Sequence, residues 1–130
     1  MVINRPDVVE EVRQCFLRYE QAINENDVAV LDDCFLDSQH TVRFGMQEEL
    51  WSFEEIKAFR RTPNTAGVPR QLLRYEITTF GDCLAVANAI FSREGVERIG
   101  RQSQTWVRLD RQWKVVSAHV SLVPLRGQPG

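Results

Sequence analysis

Nothing in the sequence is suited to crossing a membrane or to carrying a recognised cofactor. No apolar run approaches the roughly 18 residues that span a bilayer. The opening MVINRPDVVEEVRQ places charges where a secretory signal needs its apolar segment, so cytoplasmic residence is the expectation. Neither sign of charge dominates: 16 Lys and Arg stand against 18 Asp and Glu, a formal charge of -2. General affinity for nucleic acid or for a membrane surface needs a basic surplus on one face, and none is evident.

Catalytic signatures are also missing. There is no GxSxG elbow, P-loop, HExxH or dinucleotide-binding glycine pattern. Two histidines (His40, His119) and three scattered cysteines (Cys15, Cys34, Cys83) lack the spacing of a metal site. The thiols are expected to serve as core packing, and any chemistry is expected to run without metal or cofactor on acid/base and electrostatic groups.

What is present is an ordinary globular composition, 43% hydrophobic and 26% charged, over 130 residues. That length suits one domain, with the tail from about 125 to 130, which ends in RGQPG, loosely held. Val8, Val9, Val12, Cys15, Phe16, Tyr19 and Ile23 recur at three- and four-residue steps and predict an amphipathic first helix. Asn4 and Asp7 offer capping chemistry, and Pro6 fits only a first turn. Tyr19 lies on the buried stripe whereas Arg18 and Glu20 do not, so the tyrosine hydroxyl is carried inward and needs a partner.

NEND separates this helix from a second, whose apolar face is Val28, Leu31, Cys34 and Phe35. HTVRFG predicts a short strand. Ser52 and Glu55 form a capping box for a third helix, with Trp51 positioned to staple onto Ile56; that helix runs to Arg60 and Arg61, and TPNTAG ends it. From residue 70 the period changes to two. LLRYEITTF, CLAVANAIFSR, GRQSQTWVRL and WKVVSAHVSLV predict four long antiparallel strands, with Gly81-Asp82 as a two-residue hairpin turn and REGVE and LDRQ as the other turns. Helices followed by a meander indicate an α+β domain with the helices on one sheet face.

GRQSQTWVRL is unusual for a core strand. Strict alternation sorts it into Arg101, Ser103, Thr105 and Val107 on one face and Gln102, Gln104, Trp106 and Arg108 on the other. Both faces are half polar. The same rule for the last strand groups Val115, Ser117, His119 and Ser121 on one face, and Val116, Ala118, Val120 and Leu122 on the other. A sheet curling around a helix leaves a pocket at its open end, and mixed rows of this kind suit its walls. A subunit contact through Arg101, Gln102 and Gln104 is the competing reading. Arg43 is either a solvated arginine opposite core residues Val42 and Phe44 or a guanidinium near the pocket mouth, suited to bidentate carboxylate recognition. Tyr19 is either a core tyrosine or a donor into the pocket, and His119 either a satisfied structural group or a general base.

Four stretches, RYEQAINENDVAVLDDCF, HTVRFG, EEIKAFRR and GRQSQTWVRL…WKVVSAHVSLV, resemble the AtzH-like family, which includes oxalurate-catabolism proteins of the HpxZ type. The family lies within the nuclear-transport-factor-2-like, or cystatin-like, superfamily. The resemblance runs from about Pro6 to Val123. It implies a cone-shaped, curved antiparallel sheet with N-terminal helices packed on its concave face, usually dimeric through the sheet. It implies hydrolysis of small urea-derived carboxylates, with dicarboxyurea-type compounds as substrates. The family's tyrosine and arginine correspond to Tyr19 and Arg43; Arg60, Arg101, Gln102, Gln104 and His119 match further recurring positions. The expectation is therefore a cofactor-free amidohydrolase. Tyr19, Arg43 and His119 would act in catalysis, and Arg60, Arg101, Gln102 and Gln104 would bind a carboxylate-bearing ligand in a homodimer. The alternatives are a non-catalytic ligand-binding or accessory dimer of a ureide or oxalurate pathway, and a self-assembly module without a ligand.

Overall fold

The computed structural model describes residues 1–63 and 67–124. Part of the expected helix terminator TPNTAG and the whole expected loose tail therefore lie outside the described residues. Three helices, α1 (Pro6–Glu25), α2 (Val28–Cys34) and α3 (Phe53–Arg60), accompany six strands. The strands are β1 (Val42–Phe44), β2 (Glu49–Leu50), β3 (Arg70–Phe80), β4 (Leu84–Arg93), β5 (Arg98–Leu109) and β6 (Gln112–Pro124). They form one open sheet in the order β2-β1-β6-β5-β4-β3, antiparallel except where β1 runs parallel to β6. This is the α+β architecture expected, with the two-residue β2 added.

The stripe on α1 does bury: Val8, Val12, Phe16, Tyr19 and Ala22 are all core residues. Glu20 is buried too, at 6% exposure, against the expectation that it faces water. The helix ends where Asn26 takes a left-handed conformation (φ 52°) and its N–H reaches back to the Ala22 and Ile23 carbonyls. Asp27 then caps α2, accepting from the Val30 N–H at 3.2 Å. The start of α1 differs from expectation. Neither Asn4 nor Asp7 caps it; the Asn4 side chain accepts from the Thr79 N–H at 2.9 Å and ties the N-terminal segment to the edge of β3.

Ser52 caps α3, accepting from the Glu55 N–H. Ile56 is fully buried, whereas Trp51, expected to staple onto it, remains 55% exposed with its ring edge-on to Phe44 at 5.1 Å. The first hairpin also departs from expectation. Phe80 pairs with Leu84, so Gly81, Asp82 and Cys83 make a three-residue loop with Gly81 at φ 67°. The β5–β6 turn has two residues, Asp110 and Arg111, both left-handed as a tight hairpin of right-twisted strands requires.

The inner face of the sheet carries Ala85, Ala87 and Ala89 from β4, Trp106 from β5 and Val115 from β6. These share one core with Phe16, Tyr19 and Phe35. Two bulges decide which residues join it. In β3, Leu72 pairs with Phe91 and Arg74 with Ile90, leaving Leu73 unpaired. In β6, Val115 pairs with Trp106 and Ser117 with Thr105, leaving Val116 unpaired. Each extra residue reverses the alternation beyond it. Trp113 and Val115 face inward, but so do Ala118 and Val120, while Ser117 and His119 face out. The strict rows of β6 drawn from sequence are thus corrected at Val116. The same reversal turns Arg70 inward in β3.

Candidate functional site

Where the sheet extends past α1, its inner face and the loops beside α2 and α3 enclose an open cavity of about 1090 Å³. Apolar side chains such as Leu31, Leu50, Ile56 and Phe91 form much of its buried wall. Its charge is lopsided. Five arginines line it (Arg43, Arg60, Arg70, Arg93 and Arg98), against one carboxylate among the lining residues, Glu48.

One group gathers around Tyr19. Arg43 pairs with Leu50 on one side and Ala118 on the other, both buried, so its side chain points into the cavity. Val42 and Phe44 take the outer face, and the reading of Arg43 as a solvated residue opposite the core is reversed. Its Nη1 donates to Glu48 Oε1 at 2.9 Å, with side-chain exposures of 18% and 23%. The chain permits this because residue 45 is glycine: a Cβ there would lie 1.6 Å from Glu48 Oε1. Tyr19 is 2% exposed, its ring 6.1 Å from that of Phe35. Arg60 stacks over the same Phe35 ring at 4.8 Å, with its Nε 3.9 Å from Asp32 Oδ1. Burial pushes the Arg60 pKa down and the charge of Arg43 adds to this; Tyr19 and Asp32 act against it. The inward hydroxyl of Tyr19 thus has a guanidinium as its neighbour.

A second group is built on β3, β4 and β5. Arg70 Nε donates to Glu20 Oε2 at 3.0 Å, and its Nη2 donates to Glu20 Oε1 and, at 3.0 Å, to Gln102 Oε1. Asn24 holds the Arg70 backbone through both its N–H and its carbonyl. The Arg70 guanidinium lies 4.2 Å over the Phe91 ring and that of Arg93 5.1 Å from it. Gly100 makes room for that ring, since a Cβ there would sit 2.2 Å from it.

Of the residues singled out from sequence, Tyr19, Arg43, Arg60 and Gln102 come together on this cavity. The amide of Gln102 is engaged by Arg70 and Glu20. Arg101 is displaced from the ligand-binding role: it pairs with Ile90 and Ser121 on the outer face and is exposed. Gln104 points inward but into the core, 1% exposed, accepting from Trp106 Nε1 at 3.1 Å. His119 borders the cavity rim, but the bulge turns its ring outward, edge-on to Phe44 at 5.8 Å. A general-base role inside the cavity is inconsistent with that orientation. Core packing describes Cys34, whose thiol burial pushes up to about 11, but not Cys83, which is exposed.

Sequence reasoning missed Glu20, Glu48, Arg70 and Arg93. Arg93 was available, since counting in twos from Ala85 through Phe91 reaches it. Arg70 was not, because its inward direction depends on the bulge at Leu73.

A model of the AtzH-like family matches residues 1–125. The chain belongs to the AtzH-like family. A crystal structure of a protein of unknown function from Pectobacterium atrosepticum is 48% identical, covering 93% of this chain and 94% of that one at a TM-score of 0.90. A cystatin-like fold protein from Burkholderia xenovorans is 38% identical, covering 96% and 98%, at 0.92. An NTF2-like protein of unknown function from Pseudomonas putida shares the fold at 20% identity, covering 88% and 86%, with a TM-score of 0.76. No protein of curated function matches. Among the described residues of this AtzH-like chain, no helix is long and apolar enough to cross a membrane.

Proposed function

We propose that this AtzH-like protein binds small ureido carboxylates in the arginine-lined cavity and hydrolyses them in the cytoplasm with its own side chains. The observation that carries this reading is the convergence of Tyr19, Arg43 and Arg60 at a largely apolar wall. Arg43 is suited to a ligand carboxylate, which would displace Glu48 from it. Water attacks the ureido carbonyl, and charge develops on its oxygen. Tyr19 donates to that oxygen, and Arg60 beside it stabilises the added negative charge. Glu48, released from Arg43, takes the proton of the attacking water. Collapse of the tetrahedral intermediate breaks the C–N bond, and the proton passes to the leaving nitrogen.

The test is turnover of oxalurate and of a carboxylated urea, followed by product release. Saturable hydrolysis is expected, and Tyr19→Phe should lower kcat by about 100-fold or more while changing affinity little. Saturable binding without turnover would instead identify a ligand-binding or accessory protein, and an unchanged kcat in Tyr19→Phe would remove the oxyanion role.

We further propose that two copies associate through the outer sheet face, which carries Ser103, Thr105, Ser117 and His119 beside the half-buried Phe44. Light scattering should give twice the monomer mass at micromolar concentrations. A monomer throughout that range would remove the claim.

A further inference from the structure

The arginines of the cavity divide into two poles, and only one is used by the reading above. Arg43 and Arg60 share the Tyr19 end, where each feels the other's charge. Arg70 and Arg93 share the Phe91 ring. Within this second pole the two guanidiniums are not equivalent. Arg70 is buried and paired: its exposure is 7%, Glu20 and Gln102 take the donors of its Nε and Nη2, and the Glu20 carboxylate offsets its charge. Arg93 is half-buried, and its Nε donates to the Val68 carbonyl at 2.8 Å. That bond and the ring contact fix the plane of the fork, while no carboxylate among the described residues forms an ion pair with it. Burial and the neighbouring charge of Arg70 both push its pKa down, opposed by Glu20 and Tyr19. Arg98, exposed at the start of β5, lies on the same cavity and adds a third positive charge.

An oriented guanidinium with under-compensated charge, facing a cavity large enough for a small molecule, is an anion receptor. We infer that Arg93 is a specificity-determining residue that receives a second carboxylate of the ligand, so that the cavity discriminates dicarboxylates from monocarboxylates. The inference rests on the reading of the cavity as a carboxylate site, with Arg43 holding the first group. It replaces Arg101, which faces away, as the second cationic contact.

Calorimetric titration with acetate and with malonate, succinate and glutarate tests it. The parent protein should bind the best-fitting dicarboxylate at least about 10-fold more tightly than acetate, as one further charge-assisted contact allows. Arg93→Met keeps an apolar stem against Phe91 but removes the charge. It should bring that preference to within about twofold, lowering dicarboxylate affinity far more than acetate affinity. Arg93→Lys, which retains charge without the planar fork, should keep part of the preference and guards against a folding defect in the methionine variant. An Arg93→Met protein that folds and still prefers the dicarboxylate overturns the inference, as does a parent that binds acetate and dicarboxylates alike. A parent that binds none of these anions removes the carboxylate reading itself, and the role of Arg93 with it.

Discussion

Arg70→Met should destabilise the protein by about 3–5 kcal/mol, read as a shift in urea midpoint at unchanged slope. In a chain of this size that corresponds to a fall in Tm of roughly 10–20 °C. The cause is what the substitution leaves behind. Glu20 is 6% exposed, and both of its oxygens are engaged by Arg70, so methionine strands a carboxylate in the interior with Gln102 as its remaining side-chain hydrogen-bond partner among the described residues. Removing both charges should be far milder. Glu20→Leu combined with Arg70→Met strands no charge, and paired ions replaced together by apolar groups are often nearly neutral. The double variant is therefore expected to be more stable than either single one. Single variants within about 1 kcal/mol of the parent would mean that water reaches the pair and screens it.

Arg43→Ala should leave the fold intact and weaken carboxylate binding by roughly 30- to 1000-fold, the equivalent of about 2–4 kcal/mol for a charge-assisted fork. The upper part of that range is expected because of Glu48. Its carboxylate lies against Gly45 and loses its cation, so an incoming anion meets a like charge as well as a missing donor. Arg43→Lys should recover part of the loss. Arg101→Ala, on the outer face, should change affinity less than twofold, since exposed substitutions usually stay within about 0.5 kcal/mol. Titration of the three variants with one dicarboxylate checks all of this. Should Arg43→Ala bind as tightly as the parent, the anchoring role is wrong.

Much of the architecture is legible without coordinates, because it follows from local periodicity. The 3.6-residue stripe of α1 and the two-residue alternation from Arg70 onward are statements about which face is apolar, and burial obeys them between the bulges at Leu73 and Val116. Misreadings occur where a side chain has a non-local alternative. Asn4 has cap chemistry but finds the backbone of Thr79, 75 residues away. Trp51 has staple spacing but finds Phe44. Arg43 misleads for a related reason: in a three-residue strand, its apolar neighbours cover the outside of the sheet and its own direction is set by pairing with Ala118 and Leu50. The site is legible in residue types, since Tyr19, Arg43 and Arg60 all reach it. It is less legible in facing, since alternation alone cannot register an unpaired residue in a strand.

The bulge at Val116 separates two properties that usually travel together. With Val116 deleted, Trp113, Val115, Ala118 and Val120 would fall on one face by simple alternation, and Ser117 and His119 on the other. Those are the faces they already occupy. The extra residue is thus silent in the hydrophobic code of the strand, and what it contributes is shape. A bulge bends and twists the strand that holds it, and this one lies where β6 leaves the core and begins to wall the cavity. A chain shortened by that one residue would keep its inside and its outside and present a flatter wall to the ligand. Curvature here is written as an insertion, independent of which residues are apolar.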